Sequence, residues 1–182
     1  MQNVWQRRQV LGAAGVAVVA GVASPAIANV GKANCRSLSL NNLHTGERAS
    51  FDYWVDGSYV PESLTEINHF LRDYYNNQVH VMDPKLLDLV NLLHRTVGSS
   101  AEVQVISGYR SPTTNAAMHA MDHGVAAHSL HMKGMAMDIR VSDVALHRLH
   151  GAAVAMRVGG VGYYPSADFI HVDTGRVRYW GG

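Results

Sequence analysis

The chain has 182 residues, with 15 lysines and arginines against 14 aspartates and glutamates, for a formal net charge of +1. That length suits one domain able to bury a real core, and an apolar share of 47% excludes global disorder. The near-neutral balance and the scattered aromatic residues leave neither an electrostatic footprint nor a stacking platform for nucleic acid.

At the start, Arg7-Arg8 precede an uncharged stretch of Val, Ala, Gly and Leu from Val10 to Ala23. Ala26-Ile27-Ala28 then supplies a small-x-small cleavage site. A spanning helix needs about 20 strongly apolar residues, and this stretch is shorter and diluted by glycine. Residues 1–28 therefore read as a signal peptide of an exported, periplasmic protein, with no stable membrane span after cleavage. The run Gln6-Arg7-Arg8-Gln9-Val10-Leu11 resembles a twin-arginine export signal, with Gln6 and Val10 in place of the usual Ser or Thr and Phe. Cleavage removes two arginines and moves the formal charge from +1 to −1 (1 − 2). Cys35 is the single cysteine, so no intramolecular disulfide forms. It reads as an incidental thiol in an edge segment.

Arg36 to Leu43 alternates apolar and polar residues, as does Ala49 to Val55, with a turn at His44-Thr45-Gly46-Glu47 between them. Asp56-Gly57 makes a second turn before Tyr59-Val60. Residues 29–60 are thus expected to form a β meander, and residues 61–182 the core of the domain. Leu64, Ile67, Leu71 and Tyr74 recur at helical spacing and predict a helix over 61–75. Asp83-Pro84 caps a second helix whose buried stripe is Leu86, Leu87, Val90, Leu93 and Val97, ended by Gly98-Ser99-Ser100. A strand over 103–107 leads into Gly108-Tyr109-Arg110-Ser111-Pro112. A short helix over 113–121, a loop over 122–130, a strand over 136–141 and a helix over 143–156 follow, then strands over 161–164 and 169–174. This mixed order favours an α+β fold, one domain with a central antiparallel sheet flanked by helices.

Two stretches carry chemistry. His131 and Asp138 bracket His-Met-Lys-Gly-Met-Ala-Met-Asp, and His171 lies in Asp168-Phe169-Ile170-His171-Val172-Asp173. Two imidazoles and one carboxylate suit Zn²⁺, which in catalytic sites commonly takes three protein ligands and leaves one position for water. On one straight strand the odd offset from 131 to 138 would turn the two side chains to opposite faces, so Gly134 is expected to turn the chain between them. His171 and Asp173 differ by two and share a strand face. Met132, Met135 and Met137 read as packing around this run. His119 and His123 stand at i, i+4 without the glutamate of an H-E-x-x-H pattern, so a solvated helix end accounts for them. Tyr163-Tyr164 either lines a groove or caps the sheet.

Ser129-x-His131-x-x-Gly134-x-Ala136-x-Asp138 resembles the zinc motif of the LAS metallopeptidases, the group of D-alanyl-D-alanine carboxypeptidases and dipeptidases, murein endopeptidases and the hedgehog domain. Ser107-Gly108-Tyr109-Arg110-Ser111, Gly162-Tyr163-Tyr164-Pro165 and His171-Val172-Asp173-Thr174-Gly175 are most similar to its YcbK-like periplasmic branch. The resemblance covers about residues 36–182. It implies a hedgehog/D-Ala-D-Ala peptidase-like fold, Zn²⁺ held by His131, Asp138 and His171, and hydrolysis of peptide bonds in peptidoglycan. It also implies an arginine, here Arg110, near the reacting carbonyl or a substrate carboxylate, where a guanidinium fork suits either oxyanion. Asn115 would support that loop, and Ser129 would fix the metal loop by backbone hydrogen bonds.

The general base is open. Some family members place a glutamate three residues before the last ligand, where this chain has Asp168. Others place a histidine two before, where this chain has Phe169. Asp173 competes, either as base or as the group that orients a ligand imidazole, and His128 is an outside candidate. Three functions follow: a murein endopeptidase opening peptide cross-links, a D,D- or L,D-carboxypeptidase or dipeptidase, and a non-catalytic zinc-stabilised murein-binding domain. The peptide stems of peptidoglycan are the expected partner.

Overall fold

Alternation of apolar and polar residues builds the first strands. In β1 (Cys35–Asn42), Leu38 and Leu40 are buried while Ser37 and Ser39 face water. It pairs antiparallel with β2 (Arg48–Val55), which pairs with β3 (Ser58–Tyr59). The tight turn between β2 and β3 uses Asp56 and Gly57 at φ of +47° and +95°, the left-handed geometry a two-residue hairpin demands. The structure, a computed structural model, describes residues 34–121 and 125–182. The expected signal peptide and His123 lie outside the described residues.

Helix α1 (Pro61–Phe70) stops five residues short of the expected 75. Arg72 and Asp73 explain the early end. The Arg72 guanidinium donates to the His69 carbonyl, and the buried Asp73 carboxylate accepts the N–H groups of Tyr75 and of distant Ser111. Such side-chain bonds compete with the helical ladder. Tyr74 then leaves the helix and stacks on His44, with ring centroids 3.9 Å apart. Helix α2 (Pro84–Val97) follows its pattern: Asp83 accepts from the Lys85 N–H at 2.9 Å, and Gly98 closes the helix at φ +70°. Leu86, Leu87, Val90 and Leu93 are fully buried. Each contributes roughly 1.5–3 kcal/mol of apolar transfer.

Next come β4 (Val103–Ser107), α3 (Pro112–Met121), a short 3₁₀ turn at Leu130–Lys133 and β5 (Ala136–Val141). Helix α4 (Leu146–Met156) starts three residues later than expected, because Asp143 sits in a turn and accepts from the Ser99 hydroxyl at 2.6 Å. The chain ends with β6 (Gly160–Tyr164), β7 (Phe169–Asp173) and β8 (Arg178–Gly181). Strand β8 has no counterpart in the sequence reading. It is four residues long and ends at a glycine with φ +88°, so it carries almost no alternation to detect.

All eight strands form one sheet in the order β3-β2-β1-β4-β5-β7-β6-β8. The sheet is mixed rather than wholly antiparallel, since β1 runs parallel to β4 and β6 to β8. The first parallel pair needs a long crossover, and α1 and α2 provide it. Cys35 is exposed, as expected, but it opens an interior strand of the sheet, not an edge one. One sheet face carries Leu38, Val103, Val105, Ile139, Val141, Ile170 and Val172, which join one apolar cluster with Ile67 of α1, Leu86 of α2 and Leu149 of α4. By strand alternation the opposite face carries Asp138 and Arg140 of β5 and Phe169, His171 and Asp173 of β7.

Candidate metal centre

Local geometry delivers His131. The Ser129 hydroxyl accepts from the His131 N–H at 3.3 Å and opens the 3₁₀ turn. Gly134 ends it at φ +64°, where a Cβ would collide with the Val81 carbonyl. The reversal at Gly134 sends the chain into β5. There Asp138 lies directly across the ladder from His171 of β7 and from Ser107 of β4. The three side chains are 2%, 6% and 8% exposed (His131, Asp138, His171), so water does not screen them.

Their ligand atoms converge. His131 Nε2 lies 3.2 Å from Asp138 Oδ1 and 3.2 Å from His171 Nδ1, and His171 Nδ1 lies 2.9 Å from Asp138 Oδ1. The other nitrogen of each ring is committed elsewhere. His131 Nδ1 sits 2.7 Å from the Gly108 carbonyl, an acceptor only, and His171 Nε2 sits 3.0 Å from Asp173 Oδ2. When both rings are neutral, as metal ligands are, those nitrogens hold their protons. What remains is a lone pair on His131 Nε2, a lone pair on His171 Nδ1 and a carboxylate oxygen, all aimed at one point. Three such groups need a cation between them, a proton or a metal ion, and the two-nitrogen, one-oxygen set fits zinc.

Without a metal ion, protons shared with Asp138 take the cation's place between these groups. Burial pushes the Asp138 carboxyl up, but the charge and hydrogen bonding of His131 and His171 outweigh it and hold Asp138 well below the usual range. Burial pushes the His171 imidazole down, yet hydrogen bonds to Asp138 and Asp173 raise it on balance. Asp173 is fully buried. Its carboxylate accepts from His171, from the N–H groups of Gly160 and Gly175 at 2.9 and 2.8 Å, and from both Arg178 terminal nitrogens. Burial raises its carboxyl, and these donors more than offset that, holding it far below the usual range.

Arg110 lies beside the cluster, buried, with Nη2 3.7 Å from Asp138 Oδ2. Asn115 holds it loosely through Oδ1 at 3.4 Å and uses its own Nδ2 to donate to the Ala126 and Ala127 carbonyls. Arg110 Nε is buried with no hydrogen-bond partner among the described residues. A buried guanidinium with a spare donor next to this cluster can receive an anionic oxygen.

Asp168 does not join the cluster. It caps a 3₁₀ turn at φ +54°, is largely exposed, and accepts from Arg140 Nη1 at 2.8 Å. His128 is exposed in the loop before Ser129. His119 bonds the Val125 carbonyl through Nδ1 at 2.6 Å. Met137 is fully buried in the core. The two tyrosines divide: Tyr163 stacks on His150 of α4, while Tyr164 stacks on Phe169 and accepts from Trp180 Nε1 at 2.8 Å. Trp180 in turn lies 5.1 Å, centroid to centroid, from the His171 ring. Sequence reasoning passes over Asp73, Arg178 and Trp180. Only the Asp173-x-Gly175 spacing ahead of a second arginine hints at Arg178, and nothing local marks Asp73.

Residues 29–180 match the peptidase family Peptidase_M15_2, described as peptidoglycan L,D-endopeptidase MepK. The chain belongs to this family. It is 44% identical over 175 residues to "Peptidoglycan L,D-endopeptidase MepK" of Escherichia coli strain K12, covering 96% of each chain. It is 39% identical over 178 residues to "Probable peptidoglycan L,D-endopeptidase MepK" of Haemophilus influenzae, covering 97% of this chain and 96% of the relative. The protein is accordingly a peptidase, and M15 peptidases depend on a metal, which agrees with the His-Asp-His cluster. No helix among the described residues is long and apolar enough to cross a membrane.

Proposed function

We propose that this protein is a zinc endopeptidase of the cell envelope that hydrolyses L,D peptide cross-links in peptidoglycan. The observation that carries the reading is the convergence of ligand atoms from His131, Asp138 and His171 beside the spare Nε donor of Arg110. The L,D bond and the envelope rest on the names of relatives matched across nearly their whole length.

A bound Zn²⁺ supplies Lewis acidity, activating water and polarising the scissile carbonyl. The remaining roles belong to the chain. His131 and His171 keep their lone pairs on the site because Gly108 and Asp173 hold the opposite nitrogens. Arg110 offers its fork to the oxygen that gains charge as the carbonyl is attacked. Between the two candidate bases, Asp173 is fully engaged on the far edge of His171 and acts as its orienter. Asp168, the other candidate, is open to water and paired with Arg140 outside the cluster, so it serves the leaving amine only if bound substrate draws it from that pair. Residues 1–28 act as the export signal. Export of the Arg7→Lys, Arg8→Lys variant is expected to fail, and undiminished export removes the twin-arginine assignment.

The test is mature protein incubated with cross-linked murein, with and without a chelator, and the muropeptides resolved by mass spectrometry. Conversion of L,D-linked dimers to monomers, lost with chelator and restored by Zn²⁺, is expected. Release of terminal residues alone would make the protein a carboxypeptidase. Bound zinc with unchanged muropeptides would make it a binding domain.

A further inference from the structure

Two residues beyond Asp138 on the same strand, Arg140 projects from the same sheet face. At about 3.3 Å of rise per residue, its backbone lies roughly 7 Å from that of the proposed ligand. Its fork is held on two sides. Nε donates to Gln104 Oε1 at 2.6 Å, and Nη1 to Asp168 Oδ2 at 2.8 Å. Nη2 has no partner among the described residues. The guanidinium edges an open hollow of about 330 Å³, lined also by Gln104, Ser142, Val144, Leu146 and Asp168. That size falls within the range of small-ligand sites.

We infer that Arg140 and this hollow form a carboxylate subsite for the substrate residue that supplies the leaving amine. The inference rests on the proposed L,D specificity. An L,D bond joins the carbonyl of an L-centre to the amine on a D-centre, and that D-centre carries its own carboxyl group on the carbon bearing the amine. With the reacting carbonyl at His131, Asp138 and His171, this carboxylate lies a few bonds beyond the scissile nitrogen, within reach of a long side chain from the same sheet face. Arg110 is buried against Asp138 and serves the reacting oxygen, so a second cation is needed for the second anion. Arg140 meets that need: Gln104 orients it, and it has a donor left over. Its ion pair with Asp168 does not compete strongly. The two side chains are 33% and 63% exposed, and an exposed pair of this kind is worth at most about 1 kcal/mol. Ser142 adds a hydroxyl to the hollow, while Val144 and Leu146 suit the aliphatic part of the same substrate residue.

The probe is the leaving-side product, a peptide whose D-centre bears a free amine and a free carboxylate, together with its carboxamide twin. Both are stable to the enzyme, and their affinities for zinc-loaded mature protein are read by titration calorimetry. The wild type is expected to bind the carboxylate about 10-fold more tightly than the carboxamide, as a charge-assisted bond requires. In Arg140→Gln that ratio should fall below about twofold, and in Gln104→Met, which keeps the charge but frees the side chain, it should fall part way. Gln104→Met also serves if Arg140→Gln does not fold. Equal or undetectable affinities for the two peptides in the wild type, or a ratio kept in Arg140→Gln, overturn the subsite. Murein cleavage without a carboxylate preference overturns it and leaves the proposed function standing. A preference carried by Arg140 in a protein that cleaves no murein leaves the subsite standing and removes the proposed function.

Discussion

The Asp173 carboxylate meets His171 Nε2 at 3.0 Å, on the ring edge opposite the nitrogen that faces Asp138. One carboxylate thereby decides the tautomer of a proposed ligand from behind. Every neighbour of Asp173 is a donor, so an amide nitrogen in its place would face hydrogens. Asp173→Asn is expected to weaken zinc affinity roughly 10- to 100-fold, as loss of a partner behind a ligand histidine typically does. Competition with a chromophoric chelator measures this, and an unchanged affinity would remove Asp173 from the site.

Removing the metal should also be visible without substrate. Without an ion the three groups are joined by protons shared with Asp138, which an entering metal displaces. Free zinc at about 100 times its Kd adds about 2.7 kcal/mol to stability. Thermal unfolding should therefore shift upward with zinc in the wild type and stay put in His131→Ala, which deletes one ligand. A shift of equal size in the variant places the ion elsewhere.

Gly134 is required by backbone geometry. It combines φ +64° with a carbonyl where a Cβ would go. Gly134→Ala is expected to cost about 1–3 kcal/mol, and to weaken zinc binding because it displaces His131 from its turn. Urea unfolding reads the first effect and chelator competition the second. A variant as stable as the wild type would show that the turn tolerates a side chain.

Asp73 predicts an acid limb. Burial raises its carboxyl, but hydrogen bonds from Thr114, Ser111 and Tyr75 outweigh that and lower it on balance. A group lowered on folding stabilises the native state fully above its unfolded value, near 4, and loses that contribution as the pH falls through the folded value. The wild type should lose stability below about pH 4 more steeply than Asp73→Asn, which starts weaker at neutral pH. Urea midpoints from pH 7 down to pH 3 compare the two slopes, and parallel curves would contradict the assignment.

The local elements and the chemical inventory are legible along the chain. Alternation in β1 and β2, the capped stripe of α2 and the glycine-punctuated run from His131 to Asp138 are written within windows of a few residues, where side-chain period and turn chemistry act. The α+β class and the three residues able to hold a metal were legible for that reason, and so was the shared face of His171 and Asp173. The rest depends on contacts between distant segments. Asp73 ends α1 by bonding Ser111, 38 positions away, which no helical period encodes. The parallel pairings of β1 with β4 and β6 with β8 follow from how the crossovers pack. The sequence leaves Asp168 and Asp173 equivalent as carboxylates near a histidine. The fold separates them, burying Asp173 behind His171 under Arg178 and turning Asp168 outward to Arg140. A carboxylate's role depends on which donors surround it and how much water reaches it, and both are set by strand register and sheet face rather than by spacing along the chain.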